Sequence, residues 1–373
     1  MAIQIEELNI EHFRGIHNLK IKRLNHINLV VGDNNSGKTS VLEAMMLLRN
    51  PEDFTNVLRV ARLRESLVPF NSLSIYDSFI NLFAQDTDHM AIDVYAHCKR
   101  GRLGCKLSGT CKKLLMDHAD LMKSLRFSNA RKNAYKAISD SAEIDTFIGQ
   151  LQYITEDSHN NIPVEINAYS SITGREIKRT NYLNIVYLSP VDHIKTNVFS
   201  RIIRDESYKE ICVRVLQLFD PEINNLLILK NEDNARPIEY INHATLGNMP
   251  LSTYGDGIKK VLALANAIVQ AANGVLLIDE IETAIHSKYY DDVFRFIVKA
   301  CMQFGVQLFI TTHSIEAVDN LLGTQNYEEQ DDIDDISVVT FKKDTVTKQT
   351  YSRILSGRHV YSNREQFGFE VRL

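Results

Sequence analysis

Alternation of apolar and polar residues over positions 3–10 predicts a strand; residues 13–16 read as a turn, and 18–21 resume the strand pattern. The chain therefore starts β-rich. An unbroken apolar run at 27–31 predicts a buried strand, and apolar positions 41, 42, 45, 46 and 48 predict a helix over 40–48. Residues 50–90 mix short helical pattern with polar breaks, after which 90–98 and 101–107 predict a hairpin. From 112 to about 153 the spacing of Leu114, Leu115, Leu121, Leu125, Ala134, Ile138, Ile144 and Ile148 predicts two or three helices. Strand pattern returns at 164–169 and 185–188. Two further buried strands are predicted at 274–279 and 306–311, each followed by helical pattern, which is the alternation of a parallel α/β sheet. Residues 331–335 read as an acidic loop. No heptad repeat is sustained, so long coiled-coil arms are excluded.

Composition narrows the class without naming a chemistry. The chain has 373 residues, 44% hydrophobic and 24% charged, which fits a globular protein of two domains or of one domain with a substantial insertion. Its formal net charge of -5 does not announce a nucleic-acid binder. No apolar stretch reaches the roughly 18 residues of a membrane helix, and the N-terminus lacks the layout of a signal peptide. The expectation is a cytoplasmic protein with no membrane partner. The five cysteines fit reduced thiols. A metal knuckle of His97, Cys98, Cys105 and Cys111 is the alternative, although its intervals are not those of zinc ribbons. Residues 97–136 carry eleven Lys and Arg against two Asp. Such a stretch can hold a nucleic-acid backbone, or form a solvated helical face or a dock for an acidic partner. Phe127 and Tyr135 alone do not make a stacking row.

The specific chemistry begins at Gly32, where Gly-Asp-Asn-Asn-Ser-Gly-Lys-Thr completes a G-x-x-x-x-G-K-T phosphate loop between the predicted strand and helix. Gly32 and Gly37 let the backbone N–H groups of Asn34, Asn35, Ser36 and their neighbours turn toward phosphate oxygens. Lys38 supplies a charge to the β- and γ-phosphates, Thr39 a hydroxyl for Mg²⁺, and the helix starting near Ser40 its partial positive charge. A second run, Val275 to Glu280, is apolar and ends in two carboxylates. Asp279 can hold Mg²⁺ and Glu280 can polarise an attacking water; by itself, a strand ending in Asp-Glu is common. A third run, Leu308 to Ser314, brings His313 to a strand end, where it can hydrogen-bond the γ-phosphate. The fourth, Leu251 to Lys260, combines hydroxyls and glycines before a helix predicted over 261–271, and alone reads equally as an ordinary helix cap.

The order of these runs resembles the ABC-type ATPases of the SMC, RecF and OLD (overcoming lysogenization defect) group. Leu8 to Ile16 and Val41 to Ala44 resemble that group's N-terminal lobe, while Gly255-Asp256-Gly257, Asp279-Glu280-Ile281-Glu282 and Ile285-His286 resemble the OLD-like AAA ATPases in particular. The likeness is close over residues 1–50 and 240–320 and loose between them. It implies an α/β fold: an ABC-type P-loop ATPase head with a β-rich N-terminal lobe, an inserted helical/β middle region and no long coiled coil. The boundaries expected are 1–50 for the N-terminal part of the ATPase domain, 51–190 for an inserted mixed lobe, and 191–373 for the C-terminal part.

The resemblance further implies ATP and Mg²⁺ as cofactors and a head-to-tail homodimer with ATP sandwiched between protomers. Lys38 and Thr39 would act with Asp279 and Glu280 in one protomer, and Thr253, Gly255 and Asp256 would reach the γ-phosphate from the other. His313 would be the switch histidine, and His286 would lie in the loop communicating across the dimer. The family's signature has serine where Thr253 stands, with Ser252 preceding it, so either hydroxyl can cap the phosphate. Arg14 reads equally as a nucleotide-stacking residue and as a surface turn arginine. OLD nucleases continue into a Toprim domain, which the 60 residues beyond His313 cannot hold, so the output is expected through a separate effector such as a nuclease or toxin, in anti-phage defence. Alternatives are a RecF-like DNA repair ATPase and a regulatory module clamped by nucleotide with negligible turnover.

Overall fold

The computed structural model describes residues 3–65, 73–84, 90–99, 101–117, 141–156, 158–170, 182–194, 199, 201–230, 237–327, 335–344, 346–347 and 349–371. Its centre is a six-stranded sheet. β1 (Ile5–Phe13) and β2 (Ile16–Ile21) form a hairpin that precedes the central strand β3 (Ile27–Gly32). β3 is flanked on one side by β13 (Gln307–Thr311), β12 (Val275–Ile278) and β8 (Ile185–Leu188), all parallel. On the other side lie β14 (Ile336–Lys343), parallel, and β15 (Thr350–Ser356), an antiparallel edge.

Burial on both faces explains why these strands are continuous apolar runs rather than alternating ones. Val30, Val275, Leu277 and Phe309 point into one core, and Leu29, Val31, Leu276, Ile278, Leu308 and Ile310 into the other. Helices α1 (Lys38–Leu47), α2 (Phe54–Ala61) and α3 (Ile75–Ile80) fill the first core together with a second, antiparallel sheet. That sheet runs β2-β1-β4-β5-β6-β7, with β4 (Met90–Cys98), β5 (Gly101–Asp117), β6 (Ser141–Ile154) and β7 (His159–Asn167). Opposite them pack α4 (Glu206–Leu216), α5 (Asp256–Gln270), α6 (Tyr290–Gln303) and α7 (Ile315–Leu322). A meander of β9 (Ile223–Leu229), β10 (Ile238–His243) and β11 (Gly247–Pro250) joins this side, and α8 (Gly357–Phe367) ends the described chain. The fold is thus α/β with mixed sheets, and no described helix exceeds the 15 residues of α5, so no long coiled coil occurs among the described residues. None of the described helices is long and apolar enough to cross a membrane.

The two sheets are tied by a buried amide. Gln307 accepts from the Gln4 and Ile5 N–H groups at 3.0 and 2.8 Å and donates to the Ile5 and Asn25 carbonyls at 2.9 Å. Its full hydrogen-bonding use locks the start of β1 against β13.

The helices expected between 112 and 153 are corrected. Residues 112–117 continue β5 and 141–153 lie in β6, paired in unbroken register from Gly104↔Ile154 to Asp117↔Ser141. Phe147 and Leu151 are buried by one sheet face, and β partners across the strand override a spacing that also satisfies helix period. The positions Leu121, Leu125, Ala134 and Ile138 lie outside the described residues, as do 331–334 of the acidic loop. The described residues of 112–153 are therefore β, and they share their sheet with the N-terminal hairpin.

Candidate functional site

β3, β13 and β12 are neighbours and parallel, so their C-terminal ends open on one rim. The phosphate loop leaves β3 there. Gly32 has φ 145°, and a Cβ at this position would stand 2.4 Å from the Phe341 carbonyl oxygen on β14. Gly37 has φ 99° and caps α1, so the loop's two glycines occupy conformations that side chains resist. The loop lines a cavity of about 1170 Å³ with Asn34, Asn35, Ser36, Gly37, Lys38, Thr39 and Ser40, and Arg14, Glu280 and His313 join its wall.

Lys38 is buried, and its ammonium donates to the Gly32 and Asp33 carbonyls at 2.7 and 2.8 Å. Burial holds its pKa below the ordinary lysine value, with Asp279, Asp33, Glu280 and Glu282 pulling it back up. Thr39 donates to Asp279 Oδ1 at 3.2 Å, and Asp279 is itself buried behind the loop. The same Oδ1 accepts from Thr311 Oγ1 at 2.6 Å, and Oδ2 accepts from the Tyr187 hydroxyl at 3.1 Å. Thr311 also accepts from the Glu280 N–H at 2.8 Å, which fixes a residue whose φ is 49°. His313 Nε2 lies 3.8 Å from Glu280 Oε1. Five predicted residues, Lys38, Thr39, Asp279, Glu280 and His313, are thereby brought together. Thr39 and Asp279 offer a hydroxyl and a carboxylate oxygen to one point, a hard-oxygen donor pair that suits Mg²⁺. Among the described residues no group of three or more His, Cys, Asp or Glu side chains forms a metal cluster.

The predicted signature stands apart from this cavity: neither Thr253, Gly255 nor Asp256 lines it. Thr253 is exposed and donates to the Pro250 carbonyl at 2.7 Å, Gly255 caps α5, and Asp256 is exposed beside Lys259 at 3.4 Å. His286 is exposed and accepts from the Lys288 N–H at 3.3 Å.

Arg14 sits in the turn between β1 and β2, with its side chain largely buried. It lies 2.9 Å from the fully buried carboxylate of Glu43, which Arg64 grips through two bonds of 2.7 and 2.8 Å while also donating to Ser40 at 3.0 Å. Desolvation draws the Arg14 pKa down, and the bond to Glu43 helps hold that of Arg64 up. Replacing both arginines by alanine strands a buried charge beside the loop, and urea denaturation should register a loss of about 3 kcal/mol or more.

Tyr187, Thr311, Glu282, Glu43 and Arg64 were not singled out from the sequence. Glu43, Thr311 and Glu282 sit inside strings that were, and Tyr187 lies next to the end of a strand whose C-terminus faces the rim. Arg64 carries no signal in its own segment. The proposed cysteine knuckle does not assemble, because Cys105 and Cys111 are six residues apart along one extended strand, about 20 Å. Burial raises the Cys98 and Cys105 thiols to about 12, which leaves them protonated and unreactive. Of the basic stretch, 118–136 lies outside the described residues; Lys106 pairs with Asp93 at 3.3 Å and Arg102 stacks on Tyr95.

A phosphate loop whose threonine reaches the buried aspartate of a nearby parallel strand defines a P-loop nucleotide-binding protein of the ATPase class. The chain belongs to the family described as "AAA domain, putative AbiEii toxin, Type IV TA system", whose model matches residues 120–319. A second model, "AAA ATPase domain", matches residues 3–186. The chain is similar to an ATP/GTP phosphatase of Helicobacter pylori, 22% identical over 87% of this chain and 90% of that one. It is also similar to the DNA replication and repair protein RecF of Pseudoalteromonas translucida, 26% identical over 32% of this chain and 31% of that one. Among solved structures it resembles an Smc head domain with an extended coiled coil, bound to the C-terminal domain of ScpA derived from Pyrococcus furiosus. The TM-score is 0.49 at 13% identity, covering 98% of this chain and 100% of that one, a likeness of outline only.

Proposed function

We propose that this protein hydrolyses ATP and closes as a head-to-tail dimer around it, passing its nucleotide state to a separate effector. The observation that carries the reading is the unbroken contact path from Thr39 through Asp279 and Thr311 to Glu280, which joins loop, carboxylates and the His313 turn. Lys38 would hold the β- and γ-phosphates, Glu280 would orient the attacking water, and His313 would meet the γ-phosphate. Mg²⁺ would be held by Thr39 and Asp279, and when bound it neutralises charge on the transferring phosphoryl group. The name of the Helicobacter pylori relative, an ATP/GTP phosphatase, supports hydrolysis. Exposure of Thr253, Gly255 and Asp256 away from the cavity supports their service to a partner's nucleotide. The OLD-like subgroup and a role in anti-phage defence belong to the same proposal and rest on the motif strings. Phosphate release with ATP and Mg²⁺ is the direct test; a purified, folded chain that releases none would refute it.

Thr311 offers a second check. Thr311→Val keeps the shape but removes the hydroxyl that orients Asp279 and Glu280, and turnover or Mg²⁺ affinity should drop about 10–100-fold. Mg²⁺ titration of turnover reads the effect, and Mg²⁺-free nucleotide binding should stay unaltered.

The similarity to RecF favours a second reading, a DNA-loading repair ATPase. Strong stimulation of turnover by DNA would select it over the first.

A further inference from the structure

The turn that carries Glu280 and the turn that carries His313 are stitched together residue by residue. The Glu280 N–H donates to Thr311 Oγ1 at 2.8 Å and the Ile281 N–H to the Thr311 carbonyl at 3.2 Å. Past the end of β13 the stitching passes to a side chain. Glu282 Oε1 accepts from the His313 N–H at 2.6 Å and from the Ser314 N–H at 3.2 Å. Ser314 caps α7 by accepting from the Ala317 N–H at 3.2 Å, so the carboxylate also sits at the positive end of that helix. Burial lowers the pKa of the fully buried Lys260 on α5, the helix that follows Gly255, to about 8, and Asp192 followed by Glu282 are the carboxylates that most oppose this.

We infer that Glu282 is a positioning residue: by accepting two backbone N–H groups it makes the His313 turn ride on the carboxylate turn, so that Glu280 and His313 keep one mutual geometry. The inference rests on the reading above, in which these two residues act on the γ-phosphate. What Glu282 supplies is an acceptor oxygen. A glutamine carbonyl supplies one too, whereas methionine keeps the length without it, and alanine removes both.

Glu282→Ala, Glu282→Met and Glu282→Gln should be compared for turnover, nucleotide affinity and amide exchange across residues 308–318. Misplacement of reacting groups by about 1 Å costs on the order of 100-fold, so kcat should fall about 10–100-fold in Glu282→Ala and Glu282→Met with nucleotide Kd little changed. Exchange of the His313 and Ser314 amides should speed up in both. Glu282→Gln should restore slow exchange and most of kcat. Unchanged exchange in Glu282→Met, a loss in Glu282→Gln equal to that in Glu282→Ala, or a parallel collapse of nucleotide binding would each overturn the inference. Wild-type protein without turnover would instead remove the hydrolytic reading, and amide exchange alone would still decide whether Glu282 holds the turn.

Discussion

Lys38→Ala is expected to abolish nucleotide turnover and to weaken nucleotide binding more than any other single change. In the structure the ammonium is buried at the head of α1 and its donors face loop carbonyls 2.7 and 2.8 Å away. Phosphate oxygens would take their place and form charge-assisted bonds in a site shielded from water, where such bonds are roughly twice as strong as neutral ones. Loss of one preorganised donor costs about 10²–10³ in rate at comparable sites, and Lys38 adds a full charge to the donor. The fold should survive, because α1 is anchored by Val41, Leu42, Met45 and Leu47 rather than by the lysine. Titration with a fluorescent ATP analogue, run beside circular dichroism, separates the two effects. Undiminished turnover by a folded Lys38→Ala protein would sink the site assignment.

How much of this site could be read in advance follows from where its information lies. Residues 27–48 announce strand, loop and helix within one short window, because phosphate binding needs glycine, lysine and a helix start at fixed spacing. Asp279, Glu280 and His313 were visible as polar residues ending apolar runs, and parallel pairing of β3, β13 and β12 then put those ends on one rim. The pairing of Arg64 with Glu43 was not visible. It brings a loop after α2 back onto the phosphate-loop helix, and Arg64 is unremarkable within its own segment. Arg14 stayed ambiguous for the same reason, since its partner Glu43 lies 29 positions away, on α1. The error over 112–153 has a different origin. Long paired strands with apolar residues at 144, 147, 148 and 151 satisfy helical spacing by accident, and only the partner strands decide the matter.

Glu280→Gln is the variant that separates hydrolysis from assembly. Glutamine preserves size and the backbone N–H that donates to Thr311, but it cannot accept a proton from water. General-base contributions run to about 10²–10⁴, so turnover should fall into that range while ATP stays bound. The neighbouring charge changes as well. Glu280 Oε1 stands 3.8 Å from His313 Nε2, and its neutralisation removes one negative group from the place a γ-phosphate would occupy. ATP-bound protein should therefore accumulate, and light scattering with ATP and Mg²⁺ should register a doubling of mass that wild type shows only transiently. Adding Thr253→Ala or Asp256→Ala to Glu280→Gln should prevent that association if the exposed run before α5 completes the partner's site. A Glu280→Gln protein that binds ATP yet keeps the mass of a monomer would remove the composite site. Lys38, Thr39 and Asp279 would then serve a phosphate loop that works within a single chain.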